Sequence, residues 1–183
     1  MSRKVLIPLA LGFEEIEAIS VADILRRAKV DVVLAGLTTL HVQGAHGICV
    51  VADALLKEID GDAFDMIVLP GGLPGALHLA QDAHLQALLK TFDAQEKFIA
   101  AICAAPYALK CAGVLKNNYT CYPSFETKID HDGYTSMQKI VCDENIITSQ
   151  GPSTAMLFAL KLVEILCGHD IAQHLQQDLL LTR

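Results

Sequence analysis

Apolar and polar positions along this chain switch repeatedly between two periods. Apolar runs of strand length recur at Val5–Leu9, Val30–Leu37, Met66–Leu69, Phe98–Ile102 and Ile146–Thr148. Several are separated by segments of helical spacing. Ile16, Ile19, Ala22 and Leu25 form one stripe with Glu15, Asp23, Arg26 and Arg27 opposite, and Leu85, Leu88, Leu89 and Phe92 form a second behind a capping Asp82. Continuous apolar strands alternating with amphipathic helices predict βαβ units, hence a mainly parallel sheet covered on both faces. Two antiparallel insertions interrupt the alternation. His41–Gln43 and Ile48–Val51 flank Gly44-Ala45-His46-Gly47, and Lys139–Cys142 and Ile146–Thr148 flank Asp143-Glu144-Asn145; both read as hairpins. The stretch from Ser153 to Cys167 is apolar nearly all round, which predicts a helix buried against the sheet or a neighbouring subunit.

Composition narrows the class. A length of 183 residues with 52% hydrophobic and 19% charged residues suits one domain, residues 1–183, with a sizeable core. The formal net charge is −7 with no basic block, which argues against nucleic acid or an anionic membrane as main partner and favours small-molecule or protein substrates. Arg3-Lys4 followed by Val5–Leu11 imitates a signal peptide, but Glu14, Glu15 and Glu17 stand where a cleavage site would be. The apolar stretch Ala155–Cys167 is too short for a membrane span and carries Lys161 and Glu164. Six cysteines show neither C-x-x-C nor zinc-type spacing, and most lie in apolar runs, which fits reduced thiols in a cytoplasm.

In open α/β sheets, function collects at the carboxyl ends of the strands. Three segments stand there: Gly12 to Glu17, Pro70-Gly71-Gly72-Leu73-Pro74-Gly75, and Ala100-Ala101-Ile102-Cys103-Ala104-Ala105-Pro106. Cys103 sits between alanines at a strand-to-helix switch, where a sharp turn needs small neighbours and where the free N–H groups of a helix start favour a thiolate. Pro106 suits the first helical turn. Taken alone, Cys103 reads equally well as a buried structural thiol. Gly71 and Gly72 read either as an ordinary tight turn or as backbone donors for an oxyanion. Glu14 and Glu15 read as solvated first-turn charges, and Glu17 differs only if it points inward.

Together, Glu14-Glu15-Ile16-Glu17, Leu69-Pro70-Gly71-Gly72, Ala100–Pro106 and Thr148-Ser149-Gln150-Gly151-Pro152 resemble, in order and over nearly the full length, the motif set of the ThiJ/PfpI superfamily. Within it the chain resembles the parkinsonism-associated protein deglycase (DJ-one) branch and its bacterial YajL-like relatives. The resemblance implies a flavodoxin-like three-layer α/β sandwich, a homodimer and no cofactor or metal. It implies Cys103 as nucleophile, Glu17 as a protonated carboxyl hydrogen-bonded to the sulfur, and Gly71, Gly72 and Ala104 around an oxyanion pocket. The activity it implies is conversion of reactive aldehydes (glyoxalase III type) or removal of glycation adducts from protein or nucleotide (deglycase type). The alternative is a redox-sensing stress chaperone whose Cys103 is oxidised to sulfinate without turnover. Many members of the branch carry a histidine where this chain has Tyr122, in a segment read as a strand; Tyr122 can bond a substrate oxygen but is a poor base at neutral pH. The seven histidines read as surface residues, His46 being the best substitute shuttle. A peptidase or amidotransferase is disfavoured because Ala104, not a histidine, follows Cys103.

Overall fold

In the computed structural model, which describes residues 3–181, the chain begins with β1 (Lys4–Leu9), α1 (Glu15–Arg27) and β2 (Asp31–Gly36). The hairpin β3 (His41–Gln43) and β4 (Cys49–Val51) follows, then β5 (Ala54–Leu55), β6 (Met66–Leu69), α2 (Gly75–Gln81) and α3 (Ala83–Ala94). The second half comprises β7 (Phe98–Ile102), α4 (Pro106–Ala112), α5 (Glu126–Ile129), β8 (Ile140–Asp143), β9 (Ile146–Ser149), α6 (Ala155–Cys167) and α7 (His169–Asp178). The main sheet has the order β5-β2-β1-β6-β7-β9-β8, parallel throughout except for β8, which pairs antiparallel with β9 at one edge. β3 and β4 form a separate antiparallel ribbon.

Alternation along the strands builds two cores, because successive side chains leave a strand on opposite faces. Val5, Ile7, Leu9, Met66, Val68, Ala100 and Ile102 pack with Val21, Leu25, Phe158 and Leu162 of α1 and α6. Leu6, Ile67, Leu69, Ile99 and Ala101 pack with Leu79, Leu85, Leu89, Phe92 and Leu109 of α2, α3 and α4. This is the three-layer flavodoxin-like α/β sandwich that the pattern and the resemblance imply. Asp82 caps α3 as expected, its Oδ1 accepting from the Leu85 N–H at 2.8 Å, a contact worth about 1 kcal/mol.

One reading of a helix and one of a strand need correction. Ala22 and Leu25 are buried, but Ile16 and Ile19 are 55% and 42% exposed. The inward face of α1 instead carries Glu15, Glu17, Ala18, Val21, Ile24 and Leu25, because this helix packs on α6 and its first turn dips beneath the β3–β4 hairpin. The segment around Tyr122, read as a strand, is irregular; only an isolated bridge pairs Tyr119 with Tyr134. The buried helix expected over 153–167 is α6, introduced by a single 3-10 turn at Pro152–Thr154.

The sheet order reverses around β1, with β2 on one side and β6 on the other. A crevice opens at such a switch point beyond the carboxyl ends of the strands. The loops following β1, β6 and β7 meet there.

Candidate active site

β7 ends at Ile102, and the next residue, Cys103, has φ 65°, a left-handed conformation rare for a side chain with a Cβ. Holding it costs roughly 1–3 kcal/mol, so the neighbours must over-determine it. Three backbone bonds do so: Cys103 N–H to the Ser149 carbonyl at 3.0 Å, Ala105 N–H to the Ile102 carbonyl at 3.0 Å, and Tyr122 N–H to the Cys103 carbonyl at 2.9 Å. The adjacent end of β9 is itself braced. Thr148 Oγ1 accepts the Thr120 N–H at 2.9 Å, and the Ser149 and Thr154 hydroxyls bond at 2.7 Å. The Thr148–Pro152 motif therefore serves as the abutment of the Cys103 elbow. Pro106 occupies the first position of α4 as expected.

Glu17 points inward and is fully buried. Its Oε2 accepts the Gly71 N–H at 2.7 Å, its carboxyl is hydrogen-bonded to the Cys103 thiol, and its Oε1 has no partner. Gly71 is what lets these groups meet. A Cβ there would lie 2.6 Å from the Cys103 Cβ, 2.8 Å from Glu17 Oε2 and 3.0 Å from the Ile102 carbonyl. Gly71 thus departs from its expected role, because its N–H is committed to Glu17 and is not free for an oxyanion. Gly72 and Ala104 N–H groups instead converge on the Cys103 sulfur. Gly72 has φ 87°, and a side chain there would strike the Gly12 carbonyl at 2.6 Å, so the loops after β1 and β6 interlock at glycines.

Burial pushes the Glu17 carboxyl up to about 7, against the pull of the Gly71 N–H and the thiol. Burial also pushes the Cys103 thiol up to about 12; an ionised Glu17 adds to the rise, and the Gly72 and Ala104 N–H groups oppose it. The site therefore tolerates one negative charge and not two. While Glu17 is ionised the thiol stays protonated, contrary to a simple reading of Cys103 as an acidic thiol at a helix start. When Glu17 holds the proton the repulsion vanishes and its O–H becomes a donor to sulfur. A carboxylate has about four acceptor sites, and here the Gly71 N–H and the thiol are its partners while Oε1 has none, so burial favours the neutral acid.

Cys103 opens onto a cavity of about 380 Å³ whose walls include Glu14, His46, Gly72, Ala104 and Tyr122. Tyr122 is half exposed at this mouth. Glu15, expected as a solvated charge, is buried at 5% exposure and ties down the hairpin. Its Oε1 accepts the His46 and Ile48 N–H groups at 2.8 and 3.4 Å, and its Oε2 meets His46 Nδ1 at 2.9 Å. Burial raises its pKa, but these hydrogen bonds outweigh burial and hold the carboxyl below its ordinary range. Glu14 is buried too, its Oε2 3.4 Å from the same Nδ1. Among the described residues, Glu14, Glu15 and His46 are the group that brings three metal-ligand-type atoms within 4.8 Å. Nothing in the spacing of the glutamates pointed to this cluster; the hairpin glycine Gly44, which lies over Glu15, was the available signal. Three of the other cysteines, Cys49, Cys111 and Cys142, are exposed.

The family model described as DJ-1/PfpI matches residues 3–165, and the relatives found are similar over nearly all of this chain. The chain belongs to the DJ-1/PfpI family. The crystal structure of Drosophila melanogaster DJ-1beta superposes with a TM-score of 0.96 at 38% identity, covering 100% of both chains. A Caenorhabditis elegans protein named glutathione-independent glyoxalase DJR-1.2 is 38% identical, covering 93% of this chain and 91% of that one. The Arabidopsis thaliana DJ-1 homolog B is 41% identical over 93% of this chain, and this chain spans 40% of its length. Among the described residues no helix is long and apolar enough to cross a membrane.

Proposed function

We propose that this DJ-1/PfpI member is a cofactor-independent cysteine enzyme acting on small reactive aldehydes, converting 1,2-dicarbonyls to hydroxy acids or removing their early adducts from protein or nucleotide. The observation that carries the reading is the pairing of buried Glu17 with partly exposed Cys103, which opens onto a small cavity beside the Gly72 and Ala104 N–H groups. A glyoxalase-named relative at 38% identity supports it. The Cys103 thiolate adds to the aldehyde carbon, and the two N–H groups that faced the sulfur receive the new oxyanion. Glu17, neutral beside the sulfur, supplies and recovers the protons that shift between the two substrate carbons. That shift oxidises the former aldehyde carbon to a thioester and reduces its neighbour to an alcohol, and water then releases the hydroxy acid.

The test is methylglyoxal consumption with lactate detection, together with peptide mapping after limiting iodoacetamide. Lactate is expected from the parent chain and not from Cys103→Ser, with Cys103 labelled ahead of the exposed Cys49, Cys111 and Cys142. Labelling confined to those three would sink the assignment. A second reading uses the same pair: oxidation of Cys103 to sulfinate, with the neutral Glu17 donating a hydrogen bond to the new oxygen, in a stress sensor or chaperone without turnover. Absence of lactate with selective peroxide oxidation of Cys103 would favour it.

The chain is also proposed to pair with itself. Ile16 and Ile19 on α1 and Ile48 beside them on the hairpin are exposed, an apolar surface that a second copy would cover. Light scattering at micromolar concentration is expected to give twice the 19.8 kDa chain mass; a monomer would count against it.

A further inference from the structure

The Cys103 cavity has two chemically different walls. On its inner side lies Glu17, buried and committed to the sulfur and to Gly71. Its outer wall carries His46, with a side chain 69% exposed to solvent. His46 is not a loose surface residue. Its backbone N–H donates to Glu15 Oε1, the neighbouring Ala45 N–H donates to the Phe13 carbonyl at 2.8 Å, and Gly12 N–H donates to the Gln43 carbonyl at 2.8 Å. The hairpin tip is therefore pinned to the loop that opens α1. The ring meets Glu15 Oε2 through Nδ1 at 2.9 Å. A carboxylate at Nδ1 fixes the proton there and leaves Nε2 as the free acceptor.

We infer that His46 is the general base that activates water for release of the product from Cys103, with Glu15 as its positioning residue. This rests on the aldehyde reading above and assigns the last step of it. Water's oxygen bonds to the thioester carbon as its proton passes to Nε2. The carbon–sulfur bond breaks, the hydroxy acid leaves, and the proton returns to the Cys103–Glu17 pair. No oxidant or reductant is consumed, since the acyl carbon was oxidised at the expense of the neighbouring carbonyl in the preceding step. The division of labour follows burial: Glu17, closed off from solvent, moves protons between substrate carbons, and His46, at the wet mouth, handles water.

The charged groups facing the ring are Glu14 and Glu15 from the start of α1, with Cys103 and Tyr122 lining the same cavity. The bond to Glu15 and the charges of both carboxylates raise the His46 pKa. The base form must then be lost on acidification, so turnover falls on the acid side as His46 gains its proton.

The experiment is rapid-quench kinetics with methylglyoxal on the parent chain, His46→Gln and Glu15→Gln, with intact-mass detection of acylated Cys103. In His46→Gln the first addition to Cys103 should proceed as in the parent, steady-state turnover should fall by about 100-fold, and the acyl adduct should accumulate. Glu15→Gln removes one negative charge beside the ring, so the acid limb of its kcat profile should move to lower pH while the first addition to Cys103 stays as in the parent; an unmoved limb would leave Glu15 a hairpin anchor alone. Parent-like turnover in His46→Gln, or slowing without an acyl adduct, would overturn the inference while leaving the aldehyde chemistry intact. Loss of parent turnover on chelation would also overturn it, assigning Glu14, Glu15 and His46 to a metal. No turnover in the parent chain removes both readings.

Discussion

Gly71→Ala is expected to silence Cys103 while leaving the protein folded. The added methyl group would need to sit 2.6 Å from the Cys103 Cβ and 2.8 Å from Glu17 Oε2, with the Ile102 carbonyl at 3.0 Å closing the third side. The carbonyl ends β7 and is held by the Ala105 N–H, so the Cys103 and Glu17 side chains must yield. Overpacking of this kind costs about 1–3 kcal/mol, which a domain of this size survives. The chemistry has no such margin, since displacing a reacting group by about 1 Å costs on the order of 100-fold. Aldehyde turnover and the rate of Cys103 alkylation at neutral pH should both drop by about that factor, with far-ultraviolet circular dichroism unchanged. Gly113→Ala is the matched control. Gly113 ends α4 at φ 73° with open space where a Cβ would go, so it is strained by substitution but does not touch the pair. If Gly113→Ala lost as much activity as Gly71→Ala, the effect would be one of stability and Gly71 would have no special role.

Gly71 also illustrates how far a chain can be read before its structure is known. The central strands β1, β6 and β7 were legible because each is a continuous apolar run whose alternate side chains both find a core, as Leu6 and Ile7 do on opposite faces, whereas the two-residue β5 offered too short a run to be read. Asp82 was legible because a cap is a local contact, three residues long. The Cys103 elbow was legible from its small neighbours and Pro106. Long-range placement was not. Which backbone N–H reaches Glu17 and which reach the sulfur depends on β6 lying beside β1 and β7, and a Gly-Gly pair gives no hint that the first serves the acid and the second the thiol. The acidic run failed differently. Glu14, Glu15 and Glu17 share a charge and a helix start, yet their surroundings sort them into a wall of the cavity, a hairpin anchor and a buried partner of Gly71 and Cys103. With Glu15 and Glu17 on the inward face of α1, Ile16 and Ile19 turn outward, where a helical stripe alone placed them inside.

Glu17→Gln is expected to become more stable relative to the parent chain as pH rises from 5 to 8. The sign follows from the raised pKa. Below about 4.5, the ordinary value, the carboxyl is protonated in both states and the substitution carries no electrostatic difference. Between 4.5 and about 7 the unfolded parent loses a proton that the folded parent keeps, so parent stability falls as pH rises. Above about 7 the loss is complete, at about 3 kcal/mol for a shift of this size, and the amide variant never incurs it. Urea midpoints at pH 5, 6, 7 and 8 read this directly. A difference that stays flat with pH would show a carboxyl that ionises normally, and the protonated-acid mechanism would be wrong. Reactivity separates the donor role from the proton-transfer role. Glutamine still offers an N–H to the sulfur, whereas Glu17→Ala offers nothing; a hydrogen bond to a charged acceptor contributes about 1.5–3 kcal/mol, so the Cys103 pKa should be roughly one to two units higher in alanine than in glutamine. Both variants should lose aldehyde turnover by about 10²- to 10⁴-fold, because neither can carry a proton from one substrate carbon to the next. Retained turnover in Glu17→Ala would make the carboxyl a structural partner of Gly71 and leave Cys103 to act without it.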